Sequence, residues 1–300
     1  QRQMCIRDSS GDAGNAYTPS IGQAFRIVQA DAGVFGSFSG LAQPAAGLPV
    51  GTRFDALYGS QDVTLYVTPR NYADLSAFGI SLRGNQTAVG EALNALRPVA
   101  GQRVSEAVTK ELRTLFPMSP DAMPQAMNRL GGTVYGDALV SAASSSRMFG
   151  DAIAGRTTER SSVSSADGRY TSWISGFGAS SRIGADGNTG YKTSGGGVAV
   201  GAETRANSEI RLGGAIGYDG MRVSSNDTAS SARMDNTHAA AYGVWERERY
   251  SITGHAGASF SEMRIKRNLG VFRTEAEGHG SGFGAMAGLE AKASYLSLIH

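Results

Sequence analysis

From residue 168 to residue 291 the chain alternates apolar with small or polar residues at a period of two. That period places the two sets on opposite faces of a strand. In 209–223 one set is Ile210, Leu212, Gly214, Ile216 and Tyr218, and the other includes Glu209, Arg211, Ala215 and Asp219. In 250–265 Ile252, Ala256, Ala258 and Phe260 oppose Ser251, Thr253, His255 and Ser259. In the last segment Phe283, Ala285, Ala287 and Leu289 oppose Gly278, Gly280, Gly282, Gly284 and Gly288. Each apolar set runs for about ten residues, the length a tilted strand needs to cross hydrocarbon. Aromatic residues stand near the segment ends, where an interfacial girdle belongs: Tyr170, Trp173, Tyr191, Tyr218, Trp245 and Tyr250.

The pattern predicts six sequentially paired antiparallel strands, at 169–183, 191–204, 209–223, 237–246, 250–265 and 278–291. Their connections, 184–190, 205–208, 224–236, 247–249 and 266–277, run medium, short, long, short, long. Tight turns at one end and longer loops at the other are the arrangement of a transmembrane β-barrel. In that reading Ile210, Leu212, Ile216, Ile252 and Phe260 face lipid, while Gly278, Gly280, Gly282 and Gly284 form a lumen wall that lets something bulky stand against it. A soluble barrel or sandwich is the alternative for this segment.

Composition narrows the classes further. Lys+Arg 28 against Asp+Glu 26 gives a net charge of +2, too balanced for a chain that neutralises nucleic-acid phosphate. A single cysteine, Cys5, excludes a disulfide framework and a Cys-based zinc site. The chain has 41 glycines and only 18% charged residues, so its surface is filled with small and hydroxylated side chains. No apolar run reaches the ~18 residues of a transmembrane helix. Residues 1–9 and 296–300 share no pattern with the rest and are expected to be a non-native leader and tail.

Upstream of the strands the chain changes character twice. Residues 10–84 hold short β-like runs at 24–28, 33–38, 53–58 and 63–67, bounded by Gly, Pro, Asp or Ser. They read as the end of a β-solenoid, with a small antiparallel sheet as the alternative. Residues 85–132 turn helical: Asn85 caps a helix with Val89, Leu93 and Leu96 on one face, Val104 to Leu115 form a second stripe, and Ser119-Pro120-Asp121 opens a third. The helix expected at 133–160 is nearly all Ala, Ser, Val and Leu in its middle. A surface helix wants a charged face; a helix enclosed in a narrow polar tube wants small residues all round. Roughly 25 residues at about 1.5 Å each would cross a bilayer. We expect a pore helix with Ala138, Ala142, Ser145 and Ser146 toward the lumen and Arg147, Asp151, Arg156 and Arg160 pairing with Glu209 and Asp219.

Catalytic signatures are thin. H-E-x-x-H, C-x-x-C, G-x-S-x-G and the P-loop pattern are absent. His238, His255 and His279 fall on three different strands, which argues against a shared metal site, and Gly278 to Gly284 repeat at a period of two rather than in a dinucleotide-binding spacing. Glu203, Glu209, Asp219 and Glu246 read as strand-end or lumen acids in water. No catalytic residue, metal or cofactor is expected.

The order of elements carries a resemblance. A solenoid end, the junction Asn85-Gln-Thr-Ala-Val-Gly-Glu-Ala-Leu, a small-residue helix and then Trp173-Ile-Ser-Gly-Phe-Gly together resemble the C-terminal part of a type V secretion autotransporter. The resemblance implies a mainly β architecture: a β-solenoid passenger end, a helical junction, a pore helix and a transmembrane β-barrel over 168–295. Barrels of the family have about twelve strands, and about six are present here. It further implies an outer-membrane translocator and anchor in a Gram-negative cell, with its passenger at the cell surface. Outer-membrane lipid, the β-barrel assembly machinery and periplasmic chaperones are the implied partners, and nucleic acid is not. A porin-like or enzymatic barrel with a helical plug is the alternative.

Overall fold

A computed structural model describes residues 17–99, 101–155, 161–185, 189–225, 227–272 and 274–293. The leader with Cys5, the tail at 296–300, Arg156 and Arg160 lie outside the described residues. The chain divides into two units, 1–131 with 270–273 and 132–269 with 274–300.

The first unit is a small sheet covered by helices. Strands β1 (Ala24–Gln29), β2 (Thr52–Tyr58) and β3 (Asp62–Pro69) form a sheet in the order β1-β3-β2, both pairs antiparallel. Solenoid rungs would pair in parallel, so the small antiparallel sheet describes this segment. The run at 33–38 is not a strand: Gly33 and Gly36 take φ of 97° and 79°, which turn the backbone out of extended geometry. Helices α1 (Gly84–Leu96), α2 (Glu106–Leu115) and α3 (Met123–Leu130) contribute Leu93, Leu112, Leu115 and Met127 to a core with Leu57, Tyr66, Tyr72 and Phe116. Helix α1 starts two residues earlier than an Asn85 cap implied. Arg83 is its N-cap, and the Gln86 side chain accepts the Arg83 backbone N–H at 2.9 Å.

One buried carboxylate ties this unit together. Asp55, fully buried, accepts from Thr68 Oγ1 at 2.7 Å and pairs with Arg97 Nε at 3.2 Å. Arg97 also donates to the Pro69 carbonyl at 2.6 Å and lies 4.4 Å over the Tyr72 ring.

The second unit is helix α4 (Thr133–Ala154) and one sheet. Strands β4 (Ser161–Ser164), β5 (Tyr170–Ile183), β6 (Tyr191–Arg205), β7 (Ile210–Ser225), β8 (Ser230–Arg247), β9 (Tyr250–Asn268) and β10 (Glu275–Ala293) pair sequentially and antiparallel in the order β10-β9-β8-β7-β6-β5-β4. β10 and β4 are its two edges. Short β4 was not anticipated; it forms a hairpin with β5.

The sequence reading placed β8 too late. The expected loop at 224–236 shrinks to 226–229 because Ser230 to Asn236 continue the strand. Polar as that stretch looks, its alternate residues Ala232, Met234 and Asn236 are buried.

Burial shifts the ionisation of the first unit's Tyr72, whose phenol is pushed up from 10.0 to about 12, chiefly by desolvation. The native state therefore holds this proton more tightly than the unfolded chain. Its contribution is complete below pH 10 and is lost as pH rises toward about 12. Urea unfolding of the first unit across that window is expected to show falling stability, and Tyr72→Phe is expected to flatten the slope; an equal slope in the variant contradicts the assignment.

Candidate functional site

Helix α4 touches all of the strands from β5 to β10. Val134, Ala138, Ser141, Ser145, Phe149 and Ile153 are buried, at the three- and four-residue spacing of one helical face. Val140 and Ser144 face away and are exposed, while Leu139, Ala143 and Arg147, also exposed, line a cleft toward β9 and β10. The sheet side follows strict alternation. Asp219 and Val223 of β7, Met234, His238 and Tyr242 of β8, and Ser259 and Ile265 of β9 are buried on the helix-bearing face. The residues between them are mostly exposed.

The contact has three layers. At one end Val134 and Ala138 join Met221, Val223, Ala232, Met234 and Ile265 in an apolar cluster. At the other, Phe149 and Ile153 join Trp173, Ala199, Ala215, Tyr242 and Val244. Between them lies a polar layer closed to water. Ser145 Oγ donates to Asp219 Oδ1 at 2.6 Å and stands 3.0 Å from His238 Nε2. His238 Nε2 lies 2.7 Å from the same Asp219 oxygen, and Asn236 Nδ2 donates to Asp219 Oδ2 at 2.9 Å. The Phe149 ring stacks on His238 with centroids 5.0 Å apart.

This trio is not a nucleophilic relay. A serine–histidine–acid relay needs the acid on one ring nitrogen and the serine on the other. Here both share Nε2, and Nδ1 is buried without a partner. What the arrangement does is satisfy a buried carboxylate with three donors, which removes most of the cost of holding it out of water. The first of those donors belongs to the helix, so helix and sheet are complementary in one axial position.

Glycines set the steric part of that fit. A Cβ on Gly217 of β7 would stand 2.6 Å from the Phe149 ring, and one on Gly150 of α4 would stand 2.5 Å from His255 Nε2. Each partner therefore presents a ring to a glycine of the other at adjacent helix positions. Farther along the same face Gly201 and Gly213 leave room for Trp173 and Tyr242. Trp173 Nε1 donates to Tyr242 OH at 2.7 Å, and that hydroxyl donates to Glu203 Oε2 at 2.9 Å.

The residues singled out from sequence fall as follows. Ala138 and Ser145 are fully buried against the sheet, while Ala142 and Ser146 are half-buried, with Ser146 Oγ donating to Ser259 Oγ at 3.0 Å. Gly278, Gly280, Gly282 and Gly284 lie on the helix-bearing face of β10, and Gly282 and Gly284 line a cleft of about 700 Å³ beside α4. Leu212, Ile216, Ile252 and Phe260 are exposed on the opposite face, by 51%, 61%, 37% and 46%, and Ile210 is half-buried at the strand start.

Two expectations need correction. Arg147 and Asp151 are exposed and do not pair with Asp219 or Glu209. Asp219 is taken by Ser145, His238 and Asn236, because the helix turns its serine face and not its charges to the sheet. Glu209 sits at the strand end with Trp245 Nε1 and Arg247. Glu203 and Asp219, expected in water, are buried at 5% and 0% exposure. His279, unlike His238 and His255, points outward.

The sequence reading missed Phe149, Gly150, Gly217 and Asn236. Phe149 carried a signal, as a large ring in a helix otherwise built of small residues.

Residues 172–296 match the family model described as the autotransporter β-domain. No curated protein and no solved structure matches the chain. No helix among the described residues is long and apolar enough to cross a membrane, which leaves strands free to do so. With its sequential antiparallel strands, an apolar exposed face and a helix packed on the other, the segment 172–296 is an autotransporter β-domain of type V secretion, and its place is the Gram-negative outer membrane.

Proposed function

We propose that the second unit anchors the chain in the outer membrane, with α4 inside the β-domain and the N-terminal residues carried to the cell surface as passenger. The observation that best supports this reading is the division of labour between the two sheet faces. One face is apolar in the middle of every strand from β6 to β10, including Val200, Leu212, Ile216, Ala239, Ala256 and Leu289, and the other closes on a helix. A water-soluble sheet of this length would leave Leu212, Ile216, Phe260, Phe283 and Leu289 in solvent. The pore-helix role of Ala138, Ala142, Ser145 and Ser146, the lipid-facing role of Ile210, Leu212, Ile216, Ile252 and Phe260 and the lumen role of Gly278 to Gly284 belong to the same proposal. So do engagement of the β-barrel assembly machinery and periplasmic chaperones, which the family implies. A porin-like reading draws no specific support.

Two experiments test it. Ile216→Lys places a charge at mid-strand on the face assigned to lipid, at an expected cost of about 2–4 kcal/mol. The heat-modifiable, membrane-extracted fraction is expected to fall sharply, and unchanged insertion contradicts the lipid-facing assignment. Separately, Ser145→Trp or Ala142→Trp in a full-length parent is expected to obstruct passenger display or assembly, read by surface proteolysis. Ala185→Trp, in the exposed connection after β5, is expected to leave both intact. Equal display by all three variants contradicts the enclosed helix.

A further inference from the structure

The outer face of the sheet changes character above its apolar belt, and strand register puts the change in rows. Tyr218, Phe260 and Phe283 share one row, in the order Tyr218, Thr237, Phe260, Phe283 across β7 to β10. The next row toward the ends of β7 and β9 holds Asp235 opposite Glu262. The row after that reads Arg222, Arg233, Arg264, His279: each residue is directly opposite the next across four neighbouring strands. One row farther, Arg182 faces Lys192, and Lys266 faces Glu277. All of these side chains are exposed on the face that carries Leu212 and Ile216.

Like charges opposite one another on neighbouring strands oppose pairing. At about 4.8 Å between strands, the three guanidiniums of one row span roughly 10 Å. Asp235 and Glu262, one row below, offset part of this charge but pair with none of the three. Among the described residues Arg222, Arg233 and Arg264 have no ion pair; Asp235 accepts from Tyr218 OH at 2.8 Å, and Glu277 is taken by Lys266 at 2.6 Å. Glu262 is the one nearby carboxylate without such a partner. A row of this kind is relieved by an external anion, and guanidinium pairs with phosphate through two parallel hydrogen bonds.

We infer that Arg222, Arg233 and Arg264 form a binding row for the phosphate-bearing headgroups of membrane lipid. The occupant is a lipid rather than a soluble anion because the row shares its face with the apolar belt, one row of Gly220, Asp235, Glu262 and Ser281 beyond the aromatic row. Whatever sits on it also meets Phe260 and Phe283 below, so it is anionic at one end and apolar at the other. The depth agrees. Arg222 lies four residues beyond Tyr218, about 13 Å along the strand at ~3.3 Å per residue, or roughly 10 Å above the aromatic row for a strand tilted ~40°. Arginine stems lie along apolar surface with the guanidinium toward water, which suits this level. The inference rests on the proposal that this face meets lipid.

The test uses the full chain in dodecyl maltoside micelles doped with phosphatidate or phosphatidylcholine, with bound lipid counted by native mass spectrometry. Protease resistance of the β-domain is measured in parallel. Phosphatidate is expected to be retained several-fold over phosphatidylcholine, with a loss of at least about fivefold in Arg222→Gln/Arg233→Gln/Arg264→Gln. Raised salt is expected to weaken the retention. The charge-matched control Arg205→Gln/Arg247→Gln/Arg249→Gln, at the other strand ends, is expected to retain phosphatidate as the parent does. Equal retention of the two lipids, or an unaffected triple variant, by chain whose β-domain is protease-resistant overturns the inference. Displacement of phosphatidate by millimolar inorganic phosphate also overturns it, in favour of a free-anion site. Failure of the parent chain to become protease-resistant in micelles would count instead against the lipid-facing reading beneath it.

Discussion

A strand that holds a helix on one face and an apolar belt on the other cannot slip. Because side chains alternate strictly, a shift of one residue would drive Ile216 and Leu212 into α4 and turn Asp219 and Ala215 outward. Every pair from β5 to β10 obeys the same phase over its whole length, without a break in register. The polar layer, the glycine recesses and the basic row all follow from that phase, since each is a set of residues brought level on one face by pairing.

The helix contact combines two kinds of specificity. The apolar clusters at its ends supply burial but tolerate sliding, because alanine and valine surfaces fit in many registers. Position is set between them. Displacing α4 by one turn so that Phe149 takes the place of Ser145 would remove the helix hydroxyl from Asp219 and leave it only His238 and Asn236. The same displacement would drive Phe149 away from the recess at Gly217 and Gly150 away from His255. Small residues keep the helix narrow, while one serine and one ring fix its position along the sheet.

The strands were legible in the sequence because alternation is local: the apolar and small sets of β7, β9 and β10 are written in consecutive residues. The belt residues Leu212, Ile216, Ile252 and Phe260 follow directly from it. Legibility failed where the deciding neighbour is distant in the chain. Ser230 to Asn236 looked like a loop because its polar side chains find their reason only across the sheet, at Asp219. The helix charges were given partners by sign alone, and the buried acid proved to be matched by neutral donors. Upstream, Gly33 and Gly36 were read inside a strand at 33–38 and instead abolish it. The antiparallel order of β1 to β3 depends on pairing that short β-like runs do not encode.

The position of α4 on the sheet can be measured directly by cross-linking. Ser146 Oγ and Ser259 Oγ are 3.0 Å apart, whereas Ser144, two residues earlier, is exposed on the far side of the helix. In a Cys5→Ser background inserted in outer membranes, Ser146→Cys with Ser259→Cys should form a disulfide rapidly and nearly completely, seen as a non-reducing mobility shift. Ser144→Cys with Ser259→Cys should not. Absent cross-linking in the first pair, or equal cross-linking in both, would contradict a helix held in one register on the inner face of this sheet.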